Sequence, residues 1–338
     1  MKIAIIQLRR IGDLIIVTTA IKMIKQKFPN AKIYFIVSPS NYFVLNNNPE
    51  IEDILIFDKN PLKLLPFLIK LKSLNFDFYI DVKDHYSTES NILAFLVNAK
   101  TKIGFNSDTH KHNFDIGIPS AEQNINLHFI QRINNALKPL GIDFSNDFQN
   151  IQNLPKPLIY LTVHSHTFVN NFLTNNKIKQ FCLINISASS PSRTWSKTKW
   201  LNFINQLLAS TAEQQFLLIS SPQDIDIANE IMDNINLNQI NSNLFIHFSP
   251  SPFEIICALI SRANLLISPD TSLIHIAAAF DIPVIALTNN IPWNITKFEP
   301  LSTYSNIIFP KNINEIVENI EIEQVLEAYN NFKIKHNK

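Results

Sequence analysis

The chain has 338 residues, which is long for a single hydrophobic core and enough for two domains of ordinary size. Apolar residues make up 46% of it and charged residues 17%, a balance that excludes a largely disordered protein. The formal net charge of +1 argues against a nucleic-acid-binding protein, because such proteins concentrate Lys and Arg.

The cysteines and the apolar segments indicate the compartment. Cys182 and Cys257 lie in apolar stretches, where small buried side chains are expected rather than a disulfide. The amino terminus turns polar at Gln7, so its apolar run is too short for the core of a signal peptide. No later stretch reaches the roughly 18 uninterrupted apolar residues that a membrane span needs. We therefore expect a cytoplasmic protein that can still dock on the inner face of the cytoplasmic membrane.

The first half of the chain alternates between short apolar runs and helical patterns. The predicted strands are 2–8, 32–37, 54–57 and 78–82, and the predicted helices are 11–27, 61–74 and 88–98. Because parallel strands need long crossover connections, this alternation predicts a parallel sheet with helices on both faces. Residues 1–155 are therefore predicted to form a Rossmann-like domain.

The second half repeats this organisation after a Pro-, His- and Asn-rich stretch at 156–179, where we predict a linker and an accessory helix. The predicted strands are 182–186, 216–220, 244–248, 265–268 and 284–287, and the predicted helices are 197–211, 223–235, 252–261 and 272–280. Residues 180–312 are thus predicted to be a second doubly wound domain. The last helix, about 313–331 within the segment 313–338, is expected to pack back on the first domain. The predicted fold class is α/β, with two facing Rossmann-like domains and a cleft between them.

The first candidate site is the turn between the first strand and the first helix, at Gly12 and Asp13. Ligands of open α/β sheets bind at the carboxyl ends of the strands, where this turn is predicted. Asp13 could cap the helix or act as a general base towards a hydroxyl, and Gly12 would let a substrate approach the backbone closely. Arg9 and Arg10 are expected to keep Asp13 ionised or to hold an acidic substrate.

The second candidate site follows a later strand, where Asp270, Thr271 and Ser272 lead into a predicted helix. Hydroxyls and backbone amides at a helix start favour phosphate, so Thr271 and Ser272 are predicted to hold a diphosphate. Asp270 would repel phosphate, and we assign it a positioning role. His275, one turn further along, is either a structural histidine or a ligand contact.

The third candidate site is the polar segment 187–195, which follows the first strand of the second domain. Ser189 and the turn amides, followed by Arg193, suit oxyanion binding, because a guanidinium can neutralise a departing diphosphate. The alternative is a polar surface loop that Trp195 anchors.

Two weaker signals concern metal ions. Asp224 and Asp226 have the carboxylate spacing of metal-dependent transferases, but they stand where a helix should begin, so capping explains them better. His164 and His166 lack further ligands nearby, and we predict no metal site. The glycine triad of dinucleotide-binding turns is absent, which argues against an NAD enzyme.

The three candidate segments together resemble glycosyltransferase family 9, the ADP-heptose:lipopolysaccharide heptosyltransferases. The segments that carry the resemblance are Arg9-Arg10-Ile11-Gly12-Asp13, Ser187-Ala188-Ser189 with Arg193 and Trp195, and Asp270-Thr271-Ser272-Leu273-Ile274-His275-Ile276-Ala277-Ala278-Ala279. Their order and separation match over nearly the whole chain, and the last segment is the most specific.

This resemblance implies a GT-B fold, with the acceptor on the first domain and the nucleotide sugar on the second. It implies transfer of heptose from ADP-heptose to an inner-core sugar of lipopolysaccharide, with Asp13 as the catalytic base of an inverting reaction. Arg9, Arg10 and Gly12 would contact the acceptor, and Arg193 would stabilise the leaving diphosphate. The other implied donor-binding residues are Ser189, Asp270, Thr271, Ser272 and His275. No metal and no cofactor are expected, because cationic side chains and a helix terminus take the place of a metal.

The chain departs from the family pattern at three places. Ser187 and Ser272 stand where the family usually has glycine, and 288–292 replaces a glycine-rich stretch. These side chains would either crowd the backbone approach to a diphosphate or supply extra hydroxyl donors. Two alternatives therefore stay open. One is a family 9-like transferase with a different donor sugar or a protein acceptor, and the other is an inactive nucleotide-sugar-binding protein.

Overall fold

The computed structural model describes residues 1–8, 10–107, 113–149, 154–211, 214–235 and 245–336. The chain divides into two compact units. One comprises Met1–Tyr160 with Thr296–Phe298, and the other comprises Leu161–Ile295 with Glu299–Lys338.

The first unit is built around a parallel sheet with the strand order β3-β2-β1-β4-β5-β6. Its strands are β1 (Lys2–Ile6), β2 (Lys32–Val37), β3 (Ile51–Ile56), β4 (Phe76–Asp81), β5 (Ala99–Gly104) and β6 (Ile116–Gly117). Its helices are α1 (Ile11–Val17), α2 (Thr19–Lys27), α3 (Pro61–Ser73), α4 (Thr88–Leu96) and α5 (Phe129–Leu137). Strands β1 and β2 are almost completely buried, as expected of parallel strands that are covered on both faces.

The second unit repeats this topology with the strand order β12-β11-β10-β7-β8-β9, again parallel. Its strands are β7 (Phe181–Asn185), β8 (Gln215–Ile219), β9 (Phe245–Phe248), β10 (Leu265–Pro269), β11 (Val284–Leu287) and β12 (Ser305–Ile308). The helices of this half of the chain are α6 (Val163–Asn175), α7 (Lys197–Ser210), α8 (Ile225–Asn234), α9 (Phe253–Ile260), α10 (Ser272–Ala279), α11 (Pro292–Phe298) and α12 (Ile322–His336). The last residues of α11, Thr296–Phe298, group with the first unit.

Each sheet has one point where the chain reverses its direction of winding. In the first sheet this point lies between β1 and β4, whose residues Ile6 and Asp81 are paired. In the second sheet it lies between β7 and β10, where Ile184 pairs with Ile267. Loops that leave the carboxyl ends of such neighbouring strands diverge and leave room for a ligand. The three candidate segments of the sequence all follow β1, β7 or β10.

The structure confirms the α/β class and the two Rossmann-like units, and it revises several elements. The predicted helix 11–27 is divided at Thr18, because the Thr18 and Thr19 hydroxyls donate to the Ile15 and Ile16 carbonyls at 2.6 and 2.7 Å. Strands β5, β6 and β12 were not predicted, and neither were helices α5 and α11. β5 carries Lys100 and Lys102 between its apolar residues and therefore lacks a continuous apolar run.

The last helix packs on the second unit, not on the first domain as the sequence suggested. Val325, Ala328 and Tyr329 belong to the hydrophobic core of the second unit. Their i, i+3, i+4 spacing places them on one helical face, and that face is the buried one. The helix also starts later than predicted, at Ile322, after a short 3-10 turn over Val317–Asn319.

Candidate functional site

Asp13 lies in the first turn of α1, at the carboxyl end of β1. It does not cap the helix, because the capping position belongs to Arg10, whose carbonyl accepts a hydrogen bond from the Leu14 N–H at 3.2 Å. Gly12 is the second residue of α1 and is partly exposed. Arg10 is exposed beside them, and Arg9 lies outside the described residues. The capping alternative for Asp13 is therefore wrong.

The protonation of Asp13 reflects two opposing effects. Burial raises the pKa of its carboxyl group, and the positive charges of Arg10, Lys297, Lys83 and His85 lower it by less, so that the pKa lies above the ordinary value. The sequence predicts that Arg9 and Arg10 favour the ionised form of Asp13. Arg10 does act in that direction, but desolvation outweighs it. A carboxylate with a raised pKa accepts a proton more readily, which suits a general base.

A buried carboxylate in the loop after β4 gathers three basic side chains beside this turn. Asp84 accepts a hydrogen bond from the buried guanidinium of Arg132, and its other oxygen lies 3.3 Å from His85 Nδ1 and 3.9 Å from Lys297 Nζ. Burial alone would raise the pKa of Asp84, but the His85 hydrogen bond and the charges of Lys297 and Arg132 lower it to about 2. Asp84 is therefore ionised at neutral pH and fixes the cations around it.

Lys297 comes from the last turn of α11, far along the sequence from the other groups. Its ammonium lies 5.2 Å from the centre of the Phe129 ring and 5.3 Å from that of Phe298, and its side chain is only 15% exposed. Burial lowers the pKa of Lys297, while the charge of Asp84 opposes this effect. Lys297 thus adds a mostly desolvated cation close enough to influence Asp13.

In the second unit the structure brings together the segments that follow β7 and β10. Arg193 Nη2 donates to Asp270 Oδ2 at 2.9 Å, and Asn294 Nδ2 donates to the same oxygen at 3.2 Å. Arg193 Nη1 lies 3.5 Å from the Ser189 hydroxyl, at the limit of a hydrogen bond. The carboxylate of Asp270 therefore orients the guanidinium.

The start of α10 offers backbone donors next to this ion pair. Thr271 caps the helix, and its hydroxyl accepts from the Leu273 N–H at 3.3 Å while its carbonyl accepts from the Ile274 N–H at 3.3 Å. Within the described part of the chain, the N–H groups of Thr271 and Ser272 have no hydrogen-bond partner. Free amides at a helix start, close to a guanidinium, can hold phosphate oxygens.

His275 lies inside α10 and is buried. Burial lowers the pKa of its imidazole to about 4, so the ring is neutral at pH 7. Any contribution of His275 to phosphate binding would therefore come through a hydrogen bond and not through charge.

Two of the three departures from the family pattern, Ser187 and the segment 288–292, have structural partners. The Ser187 hydroxyl accepts a hydrogen bond from the Ser221 N–H at 2.7 Å, which ties the loop after β7 to the loop after β8. In the segment 288–292, Asn289 accepts from the Val317 N–H at 2.9 Å and Asn290 donates to the Pro310 carbonyl at 2.8 Å. These side chains hold neighbouring loops together.

The remaining sequence candidates have ordinary structural surroundings. Asp224 accepts a hydrogen bond from the Ser221 hydroxyl at 2.8 Å immediately before α8, and Asp226 lies in the first turn of that helix. His164 and His166 belong to α6. Trp195 is buried and donates to the Ile320 carbonyl at 3.1 Å, so it anchors the loop that contains Arg193. Among the described residues, no helix is both long and apolar enough to cross a membrane.

Several residues of these two clusters were not found from the sequence. Asp84 and His85 lie in the loop that follows β4, so the rule that ligands bind at strand ends could have pointed to them. Arg132, Lys297 and Asn294 lie on helices without any local motif, and only the fold brings them to these places.

Comparisons with known proteins give the family. The profile of glycosyltransferase family 9 (heptosyltransferase) matches residues 66–325. The chain is 23% identical to lipopolysaccharide heptosyltransferase 1 of Campylobacter coli over 332 residues, which cover 94% of this chain and 89% of that protein.

Solved structures give the fold. A glycosyl transferase family 9 protein from Veillonella parvula superposes with a TM-score of 0.78 at 16% identity, covering 99% of this chain and 97% of that one. The E. coli heptosyltransferase WaaC with ADP has a TM-score of 0.72 at 17% identity, with coverage of 98% and 100%. These similarities confirm the GT-B fold class. Because the family profile matches most of the chain, the protein belongs to glycosyltransferase family 9 and is a glycosyltransferase.

Proposed function

We propose that this glycosyltransferase moves heptose from ADP-heptose to an inner-core sugar of lipopolysaccharide, with inversion and without a metal ion. The related proteins support the substrates, since one is named a lipopolysaccharide heptosyltransferase and a similar structure contains ADP. The proposed place of the reaction is the cytoplasm, at the inner face of the cytoplasmic membrane.

The observation that carries the proposal is the arrangement at the start of α10. The Arg193 guanidinium, oriented by Asp270, and the amides of Thr271 and Ser272 together offer hydrogen-bond donors at the carboxyl edge of the second sheet. A diphosphate bound there would meet both a fixed charge and preorganised dipoles, which stabilise the charge that develops as the ADP leaves. We therefore propose that the second unit binds the donor, with Ser189 and His275 at its margin.

On the first unit, Asp13 is the proposed base. Its carboxylate removes the proton from the acceptor hydroxyl, and the acceptor oxygen forms a bond to the anomeric carbon of heptose. The bond from that carbon to the phosphate oxygen breaks, and ADP leaves with the electron pair. Arg10 and Gly12, together with Arg9, are the proposed acceptor contacts.

An assay of ADP release with ADP-heptose and a purified inner-core acceptor tests the proposal. We expect release that depends on both substrates, persists in excess EDTA and yields a product of inverted anomeric configuration by NMR. Turnover only with another nucleotide sugar, or only with a protein acceptor, would show that the proposed donor or acceptor is wrong. Binding of ADP-heptose without any turnover would favour a binding protein instead.

A further inference from the structure

Helices α3 and α4 of the first unit expose large apolar side chains. Leu62, Leu65 and Ile69 on α3 are 85%, 62% and 63% exposed, and Ile92 and Phe95 on α4 are 51% and 66% exposed. We call these five residues the α3–α4 patch. Isolated apolar side chains are common on protein surfaces, but a group of this size on two neighbouring helices indicates a binding surface.

The patch is not an unfilled part of the core. The opposite side of α3 contributes Phe67 and Leu71 to the buried core of the first unit, with Leu64 and Leu68 packed beside them. Leu62, Leu65 and Ile69 are spaced at i, i+3 and i+7, which places them together on the outer face. Helix α3 therefore has two apolar faces, and only one of them is used by the fold.

Lysines border the exposed face on both sides. At 3.6 residues per turn, Lys63 and Lys70 lie on one side of the face and Lys72 on the other, and α3 contains no acidic residue. Lys63 and Lys70 contact Asp58 and Asp53 in the folded chain. These are surface ion pairs, which contribute little to stability in water, so the lysines can exchange these partners for anions outside the protein.

We propose that the α3–α4 patch docks on a lipid bilayer that contains anionic headgroups. An apolar helical face bordered by lysines is the arrangement by which peripheral helices enter the boundary between headgroups and acyl chains. The apolar side chains enter this boundary while the lysine ammonium groups remain at the level of the phosphates. The charge on both borders favours an anionic bilayer over a second copy of this chain, which would place the lysines of one copy against those of the other.

The position of the patch fits an enzyme with a lipid-linked substrate. Only six residues separate the end of β4 from the start of α4, so the first turn of α4 lies near the carboxyl edge of the sheet, the edge that also carries Asp13. Docking through α3 and α4 would hold this edge close to the bilayer. The inference goes beyond the proposed function, and it can be tested without any transfer reaction.

Vesicle co-sedimentation of the full chain tests the proposal. We expect binding to vesicles of phosphatidylethanolamine and phosphatidylglycerol at 3:1, and at least tenfold weaker binding to phosphatidylcholine alone. The double variant Leu65→Ser with Ile69→Ser should bind the anionic vesicles at least tenfold more weakly. The control variant Ile313→Ser with Ile334→Ser removes two equally exposed side chains from the second unit and should bind like the unaltered chain.

Circular dichroism and ADP binding, measured by calorimetry, verify that each variant is folded. Equal vesicle binding by the α3 variant and the unaltered chain would overturn the proposal, as would an absence of binding by the unaltered chain. Sedimentation velocity tests whether a second copy of the chain binds to the patch instead. A dimer that the α3 substitutions convert to monomer, with vesicle binding unchanged, would make the patch an interface between copies and also overturn the proposal.

Discussion

Burial raises the pKa of the Asp13 carboxyl group, although several positive charges nearby lower it. As the proposed base it should account for much of the rate. We expect Asp13→Asn to lower kcat by about 10²- to 10⁴-fold, the usual contribution of general base catalysis, because the amide cannot accept the proton. The affinity for ADP should stay unchanged, since the donor residues belong to the other unit. Initial rates and calorimetry check this, and a variant with full turnover would remove Asp13 from the mechanism.

Lys297 should set the pH at which this base becomes active. A positive charge near a carboxylate lowers its pKa, so Lys297→Met should raise the pKa of Asp13 further and move the acid limb of the kcat/KM profile to higher pH. Lys297→Arg keeps the charge and should leave the limb near its original position. Arg10, Lys83 and His85 remain in both variants. An acid limb that does not move in Lys297→Met would contradict the assigned influence of Lys297.

Because Arg193 pairs with Asp270, we predict that substitutions of these two residues have non-additive effects on kcat/KM for the donor. Arg193→Met should raise the donor KM and lower kcat, because the leaving diphosphate loses its cation. Asp270→Asn should do the same more weakly, since the guanidinium stays but is less well oriented. The double variant should be little worse than Arg193→Met alone, as expected of residues that act through one contact. Additive losses in kcat/KM would show that Asp270 has a separate role.

At the scale of elements, the buried pair of Asp84 and Arg132 fastens the loop after β4 to helix α5. Arg132→Met leaves the buried Asp84 carboxylate with only His85 and Lys297 beside it, so the variant should lower the free energy of unfolding by up to about 3–5 kcal/mol. The exposed pair of Lys100 and Asp77 is a suitable control, and Lys100→Met should cost about 1 kcal/mol or less. Urea denaturation compares the two. Equal losses would mean that burial does not strengthen the Asp84 pair.

The same pair should give stability a pH dependence. The pKa of Asp84 is about 2 in the folded protein, below the ordinary carboxyl value of 3.8. The stabilisation that ionised Asp84 contributes is therefore complete above about pH 3.8 and is lost as the pH falls from there towards 2. In Arg132→Met this acid-dependent part should shrink, which urea titrations at a series of acid pH values would detect.

At the scale of the whole molecule, each unit has its own sheet and core, and the proposed donor site belongs to the second. ADP should therefore slow amide hydrogen exchange at 187–193 and 270–276, because a bound ligand suppresses local opening. The α1 segment of the first unit, Ile11–Val17, serves as the internal control and should change less. Protection confined to the first unit would place the donor there.

The sequence by itself determined the α/β class, the repeated alternation of the two halves and the place of the three motifs after strands. These follow from local patterns, because an apolar run between helical stretches specifies a buried parallel strand wherever it occurs. It also indicated Asp13, Arg193 and Thr271, since turns after such strands are where ligands bind. Local patterns did not predict strand β5, which has lysines between its apolar residues. They also did not predict the division of the first helix at Thr18.

Only the tertiary structure decided the surroundings of these residues. Asp84, Arg132 and Lys297 are distant along the chain and become neighbours through folding, so no local pattern could reveal their contacts. The sign of the pKa shift of Asp13 also depended on the fold, because desolvation by surrounding residues outweighed the arginine that the sequence places beside it. The same holds for the last helix, because only the fold shows that its apolar face packs in the core of the second unit. Local spacing sets which elements form, whereas long-range burial sets which charges and faces meet.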